Sequence, residues 1–286
     1  MPIKKYKAYT PSRRFMTWYD FSDITKTTPE KSLTVFIKRK AGRNNAGRIT
    51  SRFRWGGTKR QYRIVDFRGY DKVDIPAKVV SIEYDPFRTC RIALLNYKDG
   101  EKRYVLARKG ITVGSEVMCG SKSPIAPWNR LQLKDIPEGM NIYNLEFTPF
   151  SKGKLIKTAW AYATIVGKDE NESLIFIKLP SGEVRKFNEN CRATIGIVGN
   201  EQHKHIVIGK AWRQRRKWKK PRLIGLNTNP VDHPHGGWEQ HKGIGRKHKK
   251  MFSGKIVDPG VKTRKKKKWS DQFIVSRKKG KQWYIR

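Results

Sequence analysis

Apolar and polar positions alternate through the middle of the chain, and this alternation marks where strands should form. Over 62–67, 77–84 and 91–97 the pattern is that of strands with one face buried. Lys98-Asp99-Gly100-Glu101 then supplies a tight hairpin turn, because Asp-Gly accepts positive φ at both central positions. Residues 102–107 form the returning strand and 116–119 a further one. Short strands joined by tight turns predict a small closed barrel of the OB type. A proline-rich connector, Ser123-Pro-Ile-Ala-Pro127, leads to a second set of runs at 141–147, 158–166, 174–179, 184–187 and 194–198. Pro180-Ser-Gly-Glu183 is the counterpart of the first turn. This set predicts a second small β-barrel, with Trp160 in its core.

On both sides of this region the alternation fails. Residues 1–60 hold one strand-like run, 32–38, before the glycine- and arginine-rich stretch around GRNNAGRIT. That stretch reads either as a flexible loop or as an extended arm following phosphates, its glycines allowing close backbone approach. The surrounding charge favours the arm. After residue 200, 211–220 predicts a short helix stopped by Pro221, and the rest is a basic tail without a core of its own. The chain is thus mainly β, divided into an extended basic arm (1–60), a first barrel (61–125), a second barrel (126–200) and an extended basic tail (201–286).

Charge narrows the function. The formal net charge is +40 over 286 residues. A compact chain so charged repels itself and calls for a polyanionic partner, nucleic acid first and an anionic membrane surface second. No apolar run is long enough to span a bilayer. Cys90, Cys119 and Cys191 lie far apart with no CxxC pair, which argues against a disulfide framework or a zinc ribbon and for buried core thiols. No phosphate-binding glycine loop or dinucleotide fingerprint is present.

The most distinctive stretch is Asn229-Pro-Val-Asp-His-Pro-His-Gly-Gly237. Prolines fix its backbone and glycines open turns closed to other residues. Basic runs flank it, so a polyanion is the natural mould for its shape. Its imidazoles invite a zinc reading, but no cysteine or carboxylate cluster completes a ligand set. Asp232 orienting His233 as a general base is the enzymatic alternative. The reading adopted is that these side chains hydrogen-bond phosphate, ribose or backbone within a fixed turn. Trp55, Trp212, Trp218 and Trp238 lie in basic or glycine-rich segments and are candidates for stacking on bases.

GRNNAGRIT, YRIVDFR, IEYDPFR, YKDGEKRY, SGEVRK, the segment 191–200, NPVDHPHGG and SDQFIV together resemble the bacterial-type family of large-subunit ribosomal protein L-two. The resemblance implies an OB-fold followed by an SH3-like barrel, both on large-subunit rRNA, with arm and tail running into the RNA. It implies support of the peptidyl transferase region and of subunit association, and no catalysis. Neighbouring ribosomal proteins and the small subunit are the other partners, with no membrane and no small-molecule substrate. No cofactor is expected, any structural magnesium being held mainly by the rRNA.

Arg88 of YDPFR matches an arginine implicated in rRNA contact. The second-barrel arginine of the family falls on Lys157, which keeps the charge but loses the bidentate fork. His233 matches a tail histidine that supports rRNA architecture. The expected RNA-binding set is Arg43, Asn44, Asn45, Arg48, Arg52, Arg54, Arg60, Arg88, Lys157, Arg213, Arg215, Arg216, Asn229, Asp232, His233, His235, Gly236 and Gly237; no catalytic or metal-binding residue is assigned. The chain departs from the family at Trp55, where glycine is usual, at 238–241, and in its lysine-rich tail. Divergence around intact motifs, without a clear import signal, points to an organelle-encoded copy in the mitochondrial matrix, with a divergent bacterium and its cytoplasm as the alternative.

Overall fold

The computed structural model describes residues 3–169, 172–237, 247–257, 264–265 and 267–277. The chain is mainly β, with only short helices among the described residues. It divides into two compact units. One comprises Met1–Lys38, Lys59–Lys210 and Ser270–Arg286, the other Arg39–Thr58 and Ala211–Trp269.

The first unit opens with a hairpin of β1 (Ile3–Lys5) and β2 (Thr17–Tyr19), joined through the single turn of α1 (Pro11–Arg14). Next, β3 (Thr34–Phe36) pairs with β4 (Gln61–Arg63). The first main sheet holds β5 (Ala77–Glu83), β6 (Ile92–Tyr97), β7 (Lys102–Leu106) and β8 (Glu116–Val117), in the order β7-β6-β5-β8. This is a meander whose first strand also takes the fourth. β5 and β6 slip register between Val79 and Ser81, and such a bulge bends the ladder. Val65 meets Tyr104 in a single parallel bridge beside β7. Among the described residues no ladder joins β7 to β8, and the sheet curls into a half-barrel in keeping with the OB type expected.

The second sheet draws on β9 (Arg130–Gln132) and β10 (Asn141–Tyr143), with β11 (Leu145–Glu146) and β12 (Gly153–Leu155) forming a separate pair beside it. It continues through β13 (Ala163–Asp169), β14 (Leu174–Lys178), β15 (Val184–Asn188) and β16 (Arg192–Ile195), and ends with β17 (Ile274–Ser276) from far along the chain. Its order is β17-β15-β14-β13-β10-β16-β9.

Three expectations are corrected here. The run 141–147 is two strands, because Asn144 sits at φ 51°, a left-handed conformation that ends β10. The run 158–166 turns at Trp160, φ 60°, and its ladder begins only at Ala163. Trp160 is consequently 36% exposed, with Lys109 Nζ 5.3 Å from its ring centre, and is not core. The tail, expected to have no core of its own beyond a short helix, returns as β17: Lys186 donates its N–H to Phe273 O at 2.8 Å, and Ile274 is buried.

Alternation accounts for the interior. Ile142, Ile165, Ile175, Ile177, Phe187 and Cys191 fill the second sheet's core, and Val79, Ala93 and Leu95 fill one side of the first. A third cluster joins Ile92, Leu94, Tyr104 and Leu106 of the first sheet to Tyr143 and Val198 of the second region, so the two sheets share apolar contacts. The three cysteines are free and buried, and burial pushes Cys90 up to about 11 and Cys191 up to about 12.

One buried arginine, with backbone bonds from Thr25 and Glu30, fastens the N-terminal segment. Arg91, almost fully buried, donates through Nε to Asp23 Oδ2 at 2.9 Å. Its guanidinium lies 4.8 Å from the ring centre of Tyr19, 5.1 Å from Phe21 and 5.6 Å from Tyr84. A buried guanidinium needs a carboxylate and gains from aromatic faces, and this segment supplies both.

Candidate nucleic-acid interface

In the second unit, GRNNAGR forms a closed turn, not the extended arm expected. Asn44 N–H donates to Arg48 O and Asn44 Oδ1 accepts from Arg48 N–H, both at 2.9 Å. Gly47, at φ 77°, is the residue that lets the chain reverse. The turn leaves Arg43, Asn45 and Arg48 exposed, with Arg52 and Arg54 exposed beyond it. Arg52 lies over the Phe252 ring at 4.2 Å, and Arg54 bridges Lys219 through the backbone.

The expected helix is the six-residue α2 (Ala211–Arg216). Arg215 and Arg216 point outward and Arg213 is half-buried. Trp55 donates its indole N–H to Arg215 O at 2.9 Å, a structural use for this tryptophan. Trp218 is engaged within the fold: Arg39 lies 3.6 Å from its ring centre, and Gly57 packs so closely on the indole that a Cβ there would overlap it. Trp212, 59% exposed, keeps a surface on which a base could stack. Trp238 and His241 fall outside the described residues, as does much of the lysine-rich tail.

The segment 229–237 is held by its own backbone. Asp232 and His233 donate N–H to Asn229 O at 3.0 and 3.3 Å, Gly236 donates to His233 O at 2.8 Å, and Gly237 to Thr228 O at 3.1 Å. A Cβ on Gly236 would run into Asn229 O, so only glycine fits. The His233 ring rests on Gly225, where a Cβ would come within 2.5 Å of it. His233 Nδ1 accepts the N–H of His235 at 3.0 Å, and His235 Nε2 accepts the N–H of Lys250 at 2.7 Å. Each imidazole therefore serves the backbone through one nitrogen. Asn229 and Asp232 are exposed on the outer side of the turn.

In the first unit, Arg60 donates to Pro86 O at 2.6 Å, and burial lowers its pKa. Arg88 pairs with the buried Asp85 and donates to Tyr62 Oη at 3.0 Å. Lys157 lies 4.3 Å from the Phe67 ring centre and Arg88 5.5 Å from it, so the structure brings the two cations, one from each barrel region, onto a single ring. Burial, then Arg88 and Lys152, depress the Lys157 pKa. Among the described residues Lys157 has no carboxylate partner. An approaching phosphate would relieve that repulsion. Phe67 ends the predicted strand 62–67 within YRIVDFR, but nothing local marks its ring as a meeting point for cations, and Lys152 falls between the predicted runs 141–147 and 158–166 with no sequence signal of its own.

Among the described residues no cluster of three or more His, Cys, Asp or Glu could hold a metal, and no helix is long and apolar enough to cross a membrane. Cations converging at Phe67, Lys157 among them without a carboxylate partner, and a rigid turn that leaves arginines and asparagines exposed form a surface suited to a polyanion, with nucleic acid the class of partner it fits. Two family models match the chain: Ribosomal Proteins L2, RNA binding N-terminal domain, over residues 30–119, and Ribosomal Proteins L2, C-terminal domain, over 126–254. The chain belongs to the ribosomal protein L2 family. It is a structural protein of the large ribosomal subunit that binds rRNA and has neighbouring ribosomal proteins as partners.

Proposed function

We propose that this protein is a non-catalytic brace. In this reading segment 229–237 stabilises rRNA around the peptidyl transferase region, and the protein helps the two subunits associate. The observation that carries it is the state of His233. Its Nδ1 accepts the His235 N–H, so a neutral ring carries its proton on Nε2 and presents a donor there instead of a base, and Asp232 makes no hydrogen bond to the ring. A general base needs an orienting partner and a free nitrogen toward substrate in one constellation. What supports an architectural role is a turn whose groups are spent on holding its shape.

The barrels over 61–125 and 126–200 recognise folded RNA, while the exposed arginines and asparagines of the turn over 43–54 and of 215–229 contact phosphates. No cofactor enters, and magnesium is held mainly by the rRNA. The Trp55 departure and the lysine-rich tail support a mitochondrial matrix location, the bacterial cytoplasm being the alternative that organelle fractionation would reveal.

His233→Ala tests the reading. A brace loses assembly of the large subunit first, with normal turnover in the particles that do assemble. A catalyst assembles normally and loses turnover. The second result would overturn the proposal.

A further inference from the structure

A groove of about 490 Å³ opens in the first unit beside Phe67. That volume falls within the ~300–1,000 Å³ typical of small-molecule sites. Tyr62, Ile64 and Phe67 give it an apolar, partly aromatic lining, with Ile64 48% exposed at its edge. Its two carboxylates are already saturated. Asp66 Oδ2 accepts from Arg103 at 2.9 Å and Glu101 Oε1 from the same guanidinium at 2.8 Å. Arg68 and Lys152, also in the lining, are exposed, and among the described residues their side chains have no hydrogen-bond or ion-pair partner.

An aromatic floor, neutralised acids and two idle cations fit an anion that carries a flat ring. We propose that this groove takes one unstacked nucleotide of the rRNA, its base against Phe67 and Tyr62 and its flanking phosphates on Arg68 and Lys152. The proposal rests on the rRNA-binding reading and refines it. Because Arg103 holds both carboxylates, base edges find few groups to read them, and selection is for an unpaired base and not for its identity.

The test uses the full chain with a photo-crosslinking benzophenone amino acid in place of Ile64, bound to large-subunit rRNA. The crosslink should map to one nucleotide that is unpaired in the RNA. Arg68→Ala and Lys152→Ala should each weaken binding and flatten its logarithmic salt dependence by roughly one unit per lost phosphate contact. Phe67→Leu should weaken binding roughly tenfold without changing that slope, since stacking releases no counterions. Melting curves check that the variants fold; if Phe67→Leu does not, the Arg68 and Lys152 variants and the crosslink decide. Crosslinks to a neighbouring protein or to helical RNA, or unchanged affinity in folded variants, would overturn the site. A wild-type chain that binds large-subunit rRNA no better than random RNA of equal length would instead sink the rRNA reading, and the site with it.

Discussion

Arg130 donates through Nη2 to Glu146 Oε1 at 2.7 Å, and Glu146 is wholly buried. The pair lies within the second sheet region, and Tyr70 and Arg68 of the first region bond to it. Tyr70 also donates to Glu146, Arg192 donates its backbone N–H to Oε2 at 3.1 Å, and Arg130 reaches Arg68 O and Asn144 O at 3.1 and 2.9 Å. The Arg192 guanidinium covers the Tyr70 ring at 4.3 Å. Burial, then the bond to Glu146, raises the Tyr70 pKa, so its proton stays in place. A buried carboxylate with this many donors is compensated, and so are its cations.

Removing one partner of that pair strands the other. Glu146→Leu should cost about 3–5 kcal/mol in urea unfolding, whereas Arg130→Met with Glu146→Leu should recover part of the loss. Equal destabilisation by the single and double variants would show that the pair does not act as a unit.

Glu146 was not legible as a structural centre. In the sequence it is one acid in an apolar run, YNLEF, and the strand pattern alone would place it outside. It is buried because Arg130, Arg192 and Tyr70, distant in sequence, converge on it, and no local period records such convergence. By contrast, 77–84, 91–97 and 102–107 were readable because each pairs with a near neighbour and buries alternate residues. β17 escaped notice for the same reason as Glu146: three residues carry no period, and their partner β15 lies far back in the chain. At the interface, the rigid turn over 229–237 was apparent from prolines and glycines, but the meeting of Arg88 and Lys157 at Phe67 was not.

Acid should weaken the first sheet through Asp71. The hydrogen bond from Arg103 holds its carboxyl down at about 2, against an ordinary value of 3.8. A depressed carboxylate stabilises the fold above its unfolded value, and that contribution disappears as pH falls through the folded one. Asp71 is largely exposed, so the effect is screened. Asp71→Asn should lower Tm modestly at pH 6, and the difference from wild type should shrink between about pH 4 and pH 2. A Tm difference that stays constant down to pH 2 would contradict this origin.

Gly225→Ala should displace the His233 ring, since the added methyl would lie 2.5 Å from it. Overpacking of this kind costs about 1–3 kcal/mol locally. Gly225 belongs to the unit without the barrels, so their melting should be unchanged while rRNA affinity falls. Amide exchange over 225–237 and rRNA binding together check this. Wild-type binding by the variant would mean that the ring's position is immaterial.

The central claim is that this chain is a fixed part of the large subunit and not a loosely attached basic coat. It is tested most directly by sedimenting a native extract after a high-salt wash and following the chain across the gradient. The chain should remain with the large subunit at close to one copy per particle, because shape recognition and buried contacts outlast the screening of exposed charges. A chain that washes free and sediments alone would contradict it.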